Sequence, residues 1–183
     1  ILTLWAKVLQ AVPQSRLLIK SNTRNLLQDP AIRETVRTRL TQVGLDPQRV
    51  ILADFSPSTA AHLSMYQRVD IAFDSYPYNG ATTTCEALWM GVPVVTLVGQ
   101  THASRMGLSI LSTVGLEELI AESPEEYVKR CVTLAQEIGY LQHLRGHLRP
   151  RLQASPLLDA PAVTRQLEVS YRQMWERWCG RAG

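Results

Sequence analysis

Two short apolar runs constrain what this chain can fold into: Val69 to Asp74 (VDIAFD) and Pro93 to Val98 (PVVTLV). Both are apolar at nearly every position rather than at alternate ones, the pattern of strands covered on both faces and therefore of a parallel sheet. Parallel neighbours need a crossover, and the residues between the runs supply one. Tyr76-Pro77-Tyr78-Asn79-Gly80 is turn chemistry. Thr82-Thr83-Thr84 then opens a helix carrying Ala87, Leu88, Trp89 and Met90, and Gly91 stops it. The stretch reads as a βαβ unit whose helix begins at the carboxyl edge of a sheet.

That placement has a chemical consequence. The first amides of a helix lack intrahelical acceptors and carry the positive end of its dipole, so a phosphate can seat there. Gly80 lets backbone approach a ligand closely, and the hydroxyls of Thr82 and Thr83 add donors. Glu86 follows about one turn later, where a carboxylate can accept hydrogen bonds from ribose hydroxyls. The pattern also admits a plainer reading, in which Thr82 only caps the helix and Glu86 sits in solvent.

The rest of the chain repeats the alternation. Strands are expected at Arg16 to Lys20, Val50 to Ala53 and Leu116 to Ala121. Helices are expected from Leu2 to Val12, from Pro30 (capped by Asp29) to Val43, and from Ser58 or Thr59 to Tyr66. Further ones run from Ala103 to Val114, from Pro124 (capped by Ser123) to about Ile138, from Tyr140 to about Arg151, and from Ala162 to Trp178. Arg33, Arg37 and Arg39 read as a solvated helix face, as do His143, Arg145, His147 and Arg149. Trp5, Trp89, Trp175 and Trp178 fall at helical spacing and read as packing residues. The fold class that follows is α/β, a Rossmann-like parallel sheet with helices on both faces. Three loops converge at its carboxyl edge: Ala53 to His62, Ser75 to Thr84 and Gly99 to Arg105.

Composition narrows the field. The 183 residues suit a single domain spanning 1–183. A net charge of +3 is too mild to imply nucleic acid. No segment has the length of apolar chain that a membrane span needs. No leader is visible, and the three cysteines lack metal-ligand spacing, so reduced thiols and a cytoplasmic location are expected. Ile1 enters directly on a helical pattern with no Met before it, so the chain is expected to be a piece of a longer protein.

The string NGATTTCEALWMGVPVVTLVG, followed by HASRMGLSIL, STVGLEELIA, EEYV and LEVSYRQMW, resembles the C-terminal half of the catalytic region of the protein O-GlcNAc transferase family. LWAKVLQAVPQSRLLIK extends the likeness over nearly the whole chain. TTTCE and MGVPVVT are closer to the SPINDLY branch. The resemblance implies half of a two-domain GT-B glycosyltransferase that inverts at the anomeric carbon and needs no metal or other cofactor. Its partners would be a nucleotide sugar, UDP-GlcNAc or GDP-fucose, and Ser/Thr hydroxyls of an acceptor protein. Acceptor capture and catalysis would belong to an N-terminal half preceded by tetratricopeptide repeats. Self-association through the C-terminal helix is a further expectation, and the chain alone is expected to be inactive.

Carried over by position, Thr82 and Thr83 match the pyrophosphate-binding threonines and Glu86 the ribose-holding acid. His62 matches a histidine of the nucleotide loop, and Ser56 and Pro57 match backbone lying against the base. Gly80 and Ala81 complete the donor loop. The animal enzymes carry His, Lys and Arg where this chain has Ala81, Thr59 and Met65, and the family's donor lysine falls upstream of Ile1. From loop position, His102 and Arg105 are candidate leaving-group stabilisers. Capping of the next helix by His102 and a surface ion pair for Arg105 are the plainer readings. Two alternatives stay open: a degenerate, non-catalytic interaction module, and another GT-B enzyme such as a nucleotide-sugar epimerase.

Overall fold

In the computed structural model, which describes residues 1–21 and 23–180, the alternation of patterns becomes an alternation of strands and helices. β1 (Leu17–Lys20) pairs in parallel with β2 (Val50–Ala53), Leu17 opposite Val50 and Lys20 opposite Ala53. β3 (Ala72–Phe73), β4 (Val94–Leu97) and β5 (Ile120–Ala121) form a second parallel group in the order β3-β4-β5. Every pairing is parallel, as continuous apolar runs require. The sheet is therefore present in two pieces, with β1 and β3 each hydrogen-bonded on one edge.

The helices arise where spacing and caps agree. α1 (Leu2–Ala11) packs on α6 (Pro124–Gln136). α2 (Pro30–Gln42) is capped by Asp29, which accepts from Ala31 N at 2.8 Å. α3 (Thr59–Ser64) is capped by Ser58 and runs into a 3-10 turn at Met65–Arg68. α4 (Thr82–Trp89) contacts α5 (Met106–Val114) and α7 (Ile138–Ala154). α5 ends on Gly115, whose φ of +72° favours a residue without Cβ. α5 and α6 both pack on β4, and α6 also reaches β5.

Three expectations need correction. The last strand was expected from Leu116, but Glu117–Leu119 is a 3-10 turn and only Ile120–Ala121 is strand. A three-residue spacing buries Leu116 and Leu119 while leaving Glu117 and Glu118 in water, which a strand would not do. The helix expected from Ala103 is α5 from Met106, preceded by the separate turn His102–Ser104. The basic residues of α7 are not merely a solvated face. Arg145 donates to the carbonyls of Val69 and Asp70 at 2.7 and 2.9 Å, and Arg149 donates to Trp89 O and lies over its ring. These two cations fasten α7 to the start of β3 and the end of α4, whereas His143 and His147 remain exposed.

The main core surrounds β4, buried along its whole length, with Leu88, Val92, Leu111, Leu116 and Tyr127 against it. A smaller cluster of Ala6, Leu9, Leu17, Leu40 and Leu45 lies under β1 and β2. α8 (Ala160–Cys179) buries none of its described residues, and Tyr171, Met174, Trp175 and Trp178 stand exposed along it. Among the described residues no helix is long and apolar enough to cross a membrane.

Candidate functional site

Because β3 and β4 run in parallel, the segments leaving them emerge at one edge, and the His62–Glu86 contact joins the segment after β2 to α4; the residues singled out by sequence lie on these three segments. The segment after β3 is the most tightly built. Asp74, buried at the strand end, accepts from Gly80 N at 2.7 Å and from Thr96 Oγ1 of β4 at 2.6 Å. Tyr76 and Pro77 are joined by a cis peptide, and the hydroxyl of Ser75 donates to Tyr78 O within the same loop. Asn79, in the expected turn, is buried. Its side-chain amide donates to Ser75 O and its backbone N–H to Ala103 O, stitching this loop to the one after β4.

The loop delivers α4 with an open amino end. Ala81 is the N-cap residue and offers no side-chain cap, and the first turn holds no acid. Thr82 therefore does not cap the helix. Thr82 and Thr83 are exposed, while Thr84 turns inward and donates to Gly80 O at 2.9 Å. A Cβ on Gly80 would lie 2.4 Å from Thr83 Oγ1, so only glycine lets the backbone pass beneath the helix start. Uncapped amides, the helix dipole and two exposed hydroxyls are features on which an anion can seat.

Glu86 is not idle in solvent. Its Oε2 lies 2.9 Å from His62 Nε2, and each of these side chains retains 26% exposure, so the pair is held yet reachable. Tyr66 stands edge-on to the His62 ring and donates its hydroxyl to Thr83 O at 3.2 Å. Burial, reinforced by the Glu86 charge, pushes the Tyr66 phenol up to about 12, so it stays a protonated donor at neutral pH. The same two influences raise the Cys85 thiol, which argues against a reactive thiolate at this helix start. For Asp74, burial outweighs the bonds from Thr96, Gly80 and Ser75 and holds the carboxyl above the ordinary aspartate range.

Ser56 and Pro57 follow β2 on the approach to α3, next to exposed Phe55, whose ring is flanked by the cations of Lys20 and Arg24. His102 opens the turn after β4 and is exposed, but Thr101 and Ser104 form the capping box there, so the histidine is not a cap. Among the described residues Arg105 makes no ion pair, and it reaches back to Gly99 O at 3.3 Å. Among the described residues no group of three or more His, Cys, Asp or Glu side chains could hold a metal. The residues that sequence reasoning missed are Tyr66 and Thr96. Tyr66 was detectable, since its four-residue spacing from His62 places both on one side of α3 and its continuation. Thr96 was not, because its partner Asp74 comes from another strand.

A family profile described as Glycosyl transferase family 41 matches residues 1–167. The chain is 44% identical over 183 residues to the probable UDP-N-acetylglucosamine–peptide N-acetylglucosaminyltransferase SPINDLY of Solanum lycopersicum, covering 98% of this chain and 19% of that protein. It is 32% identical over 178 residues to the UDP-N-acetylglucosamine–peptide N-acetylglucosaminyltransferase of Caenorhabditis elegans, with 97% and 15% covered. Among solved structures, a mutant of the Thermobaculum terrenum O-GlcNAc transferase superposes with a TM-score of 0.90 at 40% identity, covering all of this chain and 34% of that one. Sucrose-phosphate synthase of Thermosynechococcus elongatus shares the fold at a TM-score of 0.61 and 18% identity, over 96% of this chain and 42% of that one. The chain thus spans about a fifth of the length of the curated relatives it matches, and its fold is that of one half of a GT-B glycosyltransferase.

Proposed function

Because this chain belongs to glycosyl transferase family 41, we propose that it is the donor-nucleotide half of an inverting protein O-glycosyltransferase, with the diphosphate seated over the amino end of α4. The observation that carries this reading is the uncapped helix start at the carboxyl edge of a parallel sheet, with Glu86 one turn further on. In the reaction an acceptor Ser or Thr oxygen attacks the anomeric carbon and the bond to the diphosphate oxygen breaks. The leaving diphosphate takes the electron pair, and the hydroxyl proton passes to a base outside this chain. The charge growing on the diphosphate is met by the α4 amides and by the hydroxyls of Thr82 and Thr83. Glu86, steadied by His62, accepts from the ribose hydroxyls. The loop at Ser56 and Pro57 lies against the base, and Gly80 and Ala81 line the phosphate side. His102 is proposed as a further donor to the leaving group, and Arg105 as the brace that holds its loop.

The relatives' names favour UDP-GlcNAc as donor. GDP-fucose is the second reading, favoured by Ala81, Thr59 and Met65, which offer a uridine nucleotide less polarity than the animal sequences do. Calorimetry of the full-length protein with UDP, GDP and their sugars decides between them. Binding of UDP-GlcNAc, weakened about tenfold by Glu86→Gln (about 1.4 kcal/mol) with unchanged thermal midpoint, is the expected result. GDP-fucose binding alone selects the second donor. A protein that binds neither nucleotide is an interaction module, and the reading fails.

A further inference from the structure

Glu86 has a second neighbour besides His62, and it comes from the same short stretch of chain. Tyr66 follows His62 by four positions, lies in the 3-10 continuation of α3, and sets its ring edge-on to the imidazole at a centroid distance of 5.7 Å. Its hydroxyl donates at 3.2 Å to Thr83 O, in the first turn of α4. Tyr66, His62 and Thr83 line one cavity together with Gly80, so the phenol borders the same space as the helix start.

The hydrogen-bond roles left over at this point are specific. A carboxylate can only accept, so His62 donates through Nε2 to Glu86 Oε2 at 2.9 Å, which leaves Oε1 to a ligand. The phenol proton is committed as well. Thr83 O receives it, and the Glu86 carboxylate acts on the same hydroxyl by its charge and as an acceptor. A hydroxyl that donates keeps its lone pairs, and among the described residues no group donates to the Tyr66 oxygen. What remains is two acceptors on neighbouring side chains with no free donor between them. A ligand that brings two adjacent hydroxyls matches that pattern. Phenylalanine would make the same edge-on contact with His62, so ring packing alone does not call for the hydroxyl.

We infer that Tyr66 is a specificity-determining residue of the donor site: its oxygen and Glu86 Oε1 each accept from one ribose hydroxyl, so the pair reads the intact diol and rejects deoxyribose. This rests on the donor-seat reading, which puts the diphosphate one turn before Glu86. Thr83 ties the two together, since its side chain stands on the phosphate side while its carbonyl orients the phenol. A deoxynucleotide lacks one of the two donors and leaves an acceptor of the site unpaired. A site built around a substrate hydroxyl discriminates in this way against the analogue without it. Glu86 was marked for the ribose by its place in α4; the share of Tyr66 follows from a hydrogen bond that spans 17 positions.

The test measures binding of UDP and GDP, and of their 2′-deoxy and 3′-deoxy forms, to the full-length protein by calorimetry, before and after Tyr66→Phe. In the unaltered protein, both deoxy forms of the nucleotide that binds should bind about tenfold more weakly than the parent. Tyr66→Phe should weaken the parent by about fivefold to tenfold and leave one deoxy form as it was, so that discrimination at that hydroxyl disappears. Discrimination at the other hydroxyl, read by Glu86, should persist. Equal weakening of the parent and both deoxy forms makes the phenol only a tie between α3 and α4 and overturns the inference. Equal binding of all three forms by the unaltered protein overturns it without any variant. Fluorotyrosine at position 66 keeps the test open should Tyr66→Phe fail to fold: its fluorine NMR shift should move with the parent and stay in place with one deoxy form, and a shift blind to both hydroxyls sinks the idea. A protein that binds no nucleoside diphosphate fails the donor-seat reading and this inference with it. Nucleotide binding without ribose discrimination fails the inference alone.

Discussion

The half of the sheet built on β3, β4 and β5 and the half built on β1 and β2 use the same parallel pairing to different depths. β4 is buried at all four positions, and the helices around it contribute most of the described core. β2 is half-buried at all four positions, and its cluster reduces to five fully buried side chains. The difference teaches where a binding site can be rigid. Asp74, Thr96 and Gly80 hold the loop before α4 against the deep half, so the proposed anion seat would inherit a fixed backbone. Ser56 and Pro57 stand on the shallow half, where the loop proposed to lie against the base can adjust.

Stability measurements are the bluntest way to break this contrast. Leu88→Ala, in the deep half, should lower unfolding free energy by about 3 kcal/mol, and Ile51→Ala, on half-buried β2, by about 1 kcal/mol. Equal losses in urea titrations would erase the distinction. Asp74 gives a pH-dependent version. Its carboxyl is held above the ordinary aspartate range by burial, so the folded chain binds that proton more tightly than the unfolded chain. The associated stability is present below the ordinary aspartate pKa and is lost as pH rises through the raised value. Urea midpoints between about pH 4 and 7 should therefore fall with rising pH, and Asp74→Asn should flatten that slope. A slope unchanged by the substitution would assign the dependence elsewhere. The smallest effect belongs to the cap of α2 in the shallow half, where Asp29→Ala should cost about 1 kcal/mol or less. A larger loss there, read by denaturant or by helicity, would mean that α2 anchors more of the molecule than its exposed face suggests.

Much of this was written locally in the chain. The βαβ unit at residues 69–98, the caps at Asp29, Ser58 and Ser123, the stop at Gly115 and the threonine-rich start of α4 all depend on neighbours within a turn or two, and such interactions leave a periodic or positional trace in sequence. Leu116 misled because it stands just ahead of a true apolar strand, while its spacing of three from Leu119 marks a turn.

What only the tertiary structure decided involves partners far apart in the chain. Glu86 meets His62 across 24 positions, Asp74 meets Thr96 across 22, and Arg145 reaches Val69 across 76. No local period encodes which of several acids or cations will find a given partner, because that choice is made by how helices and strands stack. The sequence determined that a helix would begin at Thr82 with its amides toward the edge of a parallel sheet. Packing alone decided that those amides would stay uncapped and that Glu86 would already be held.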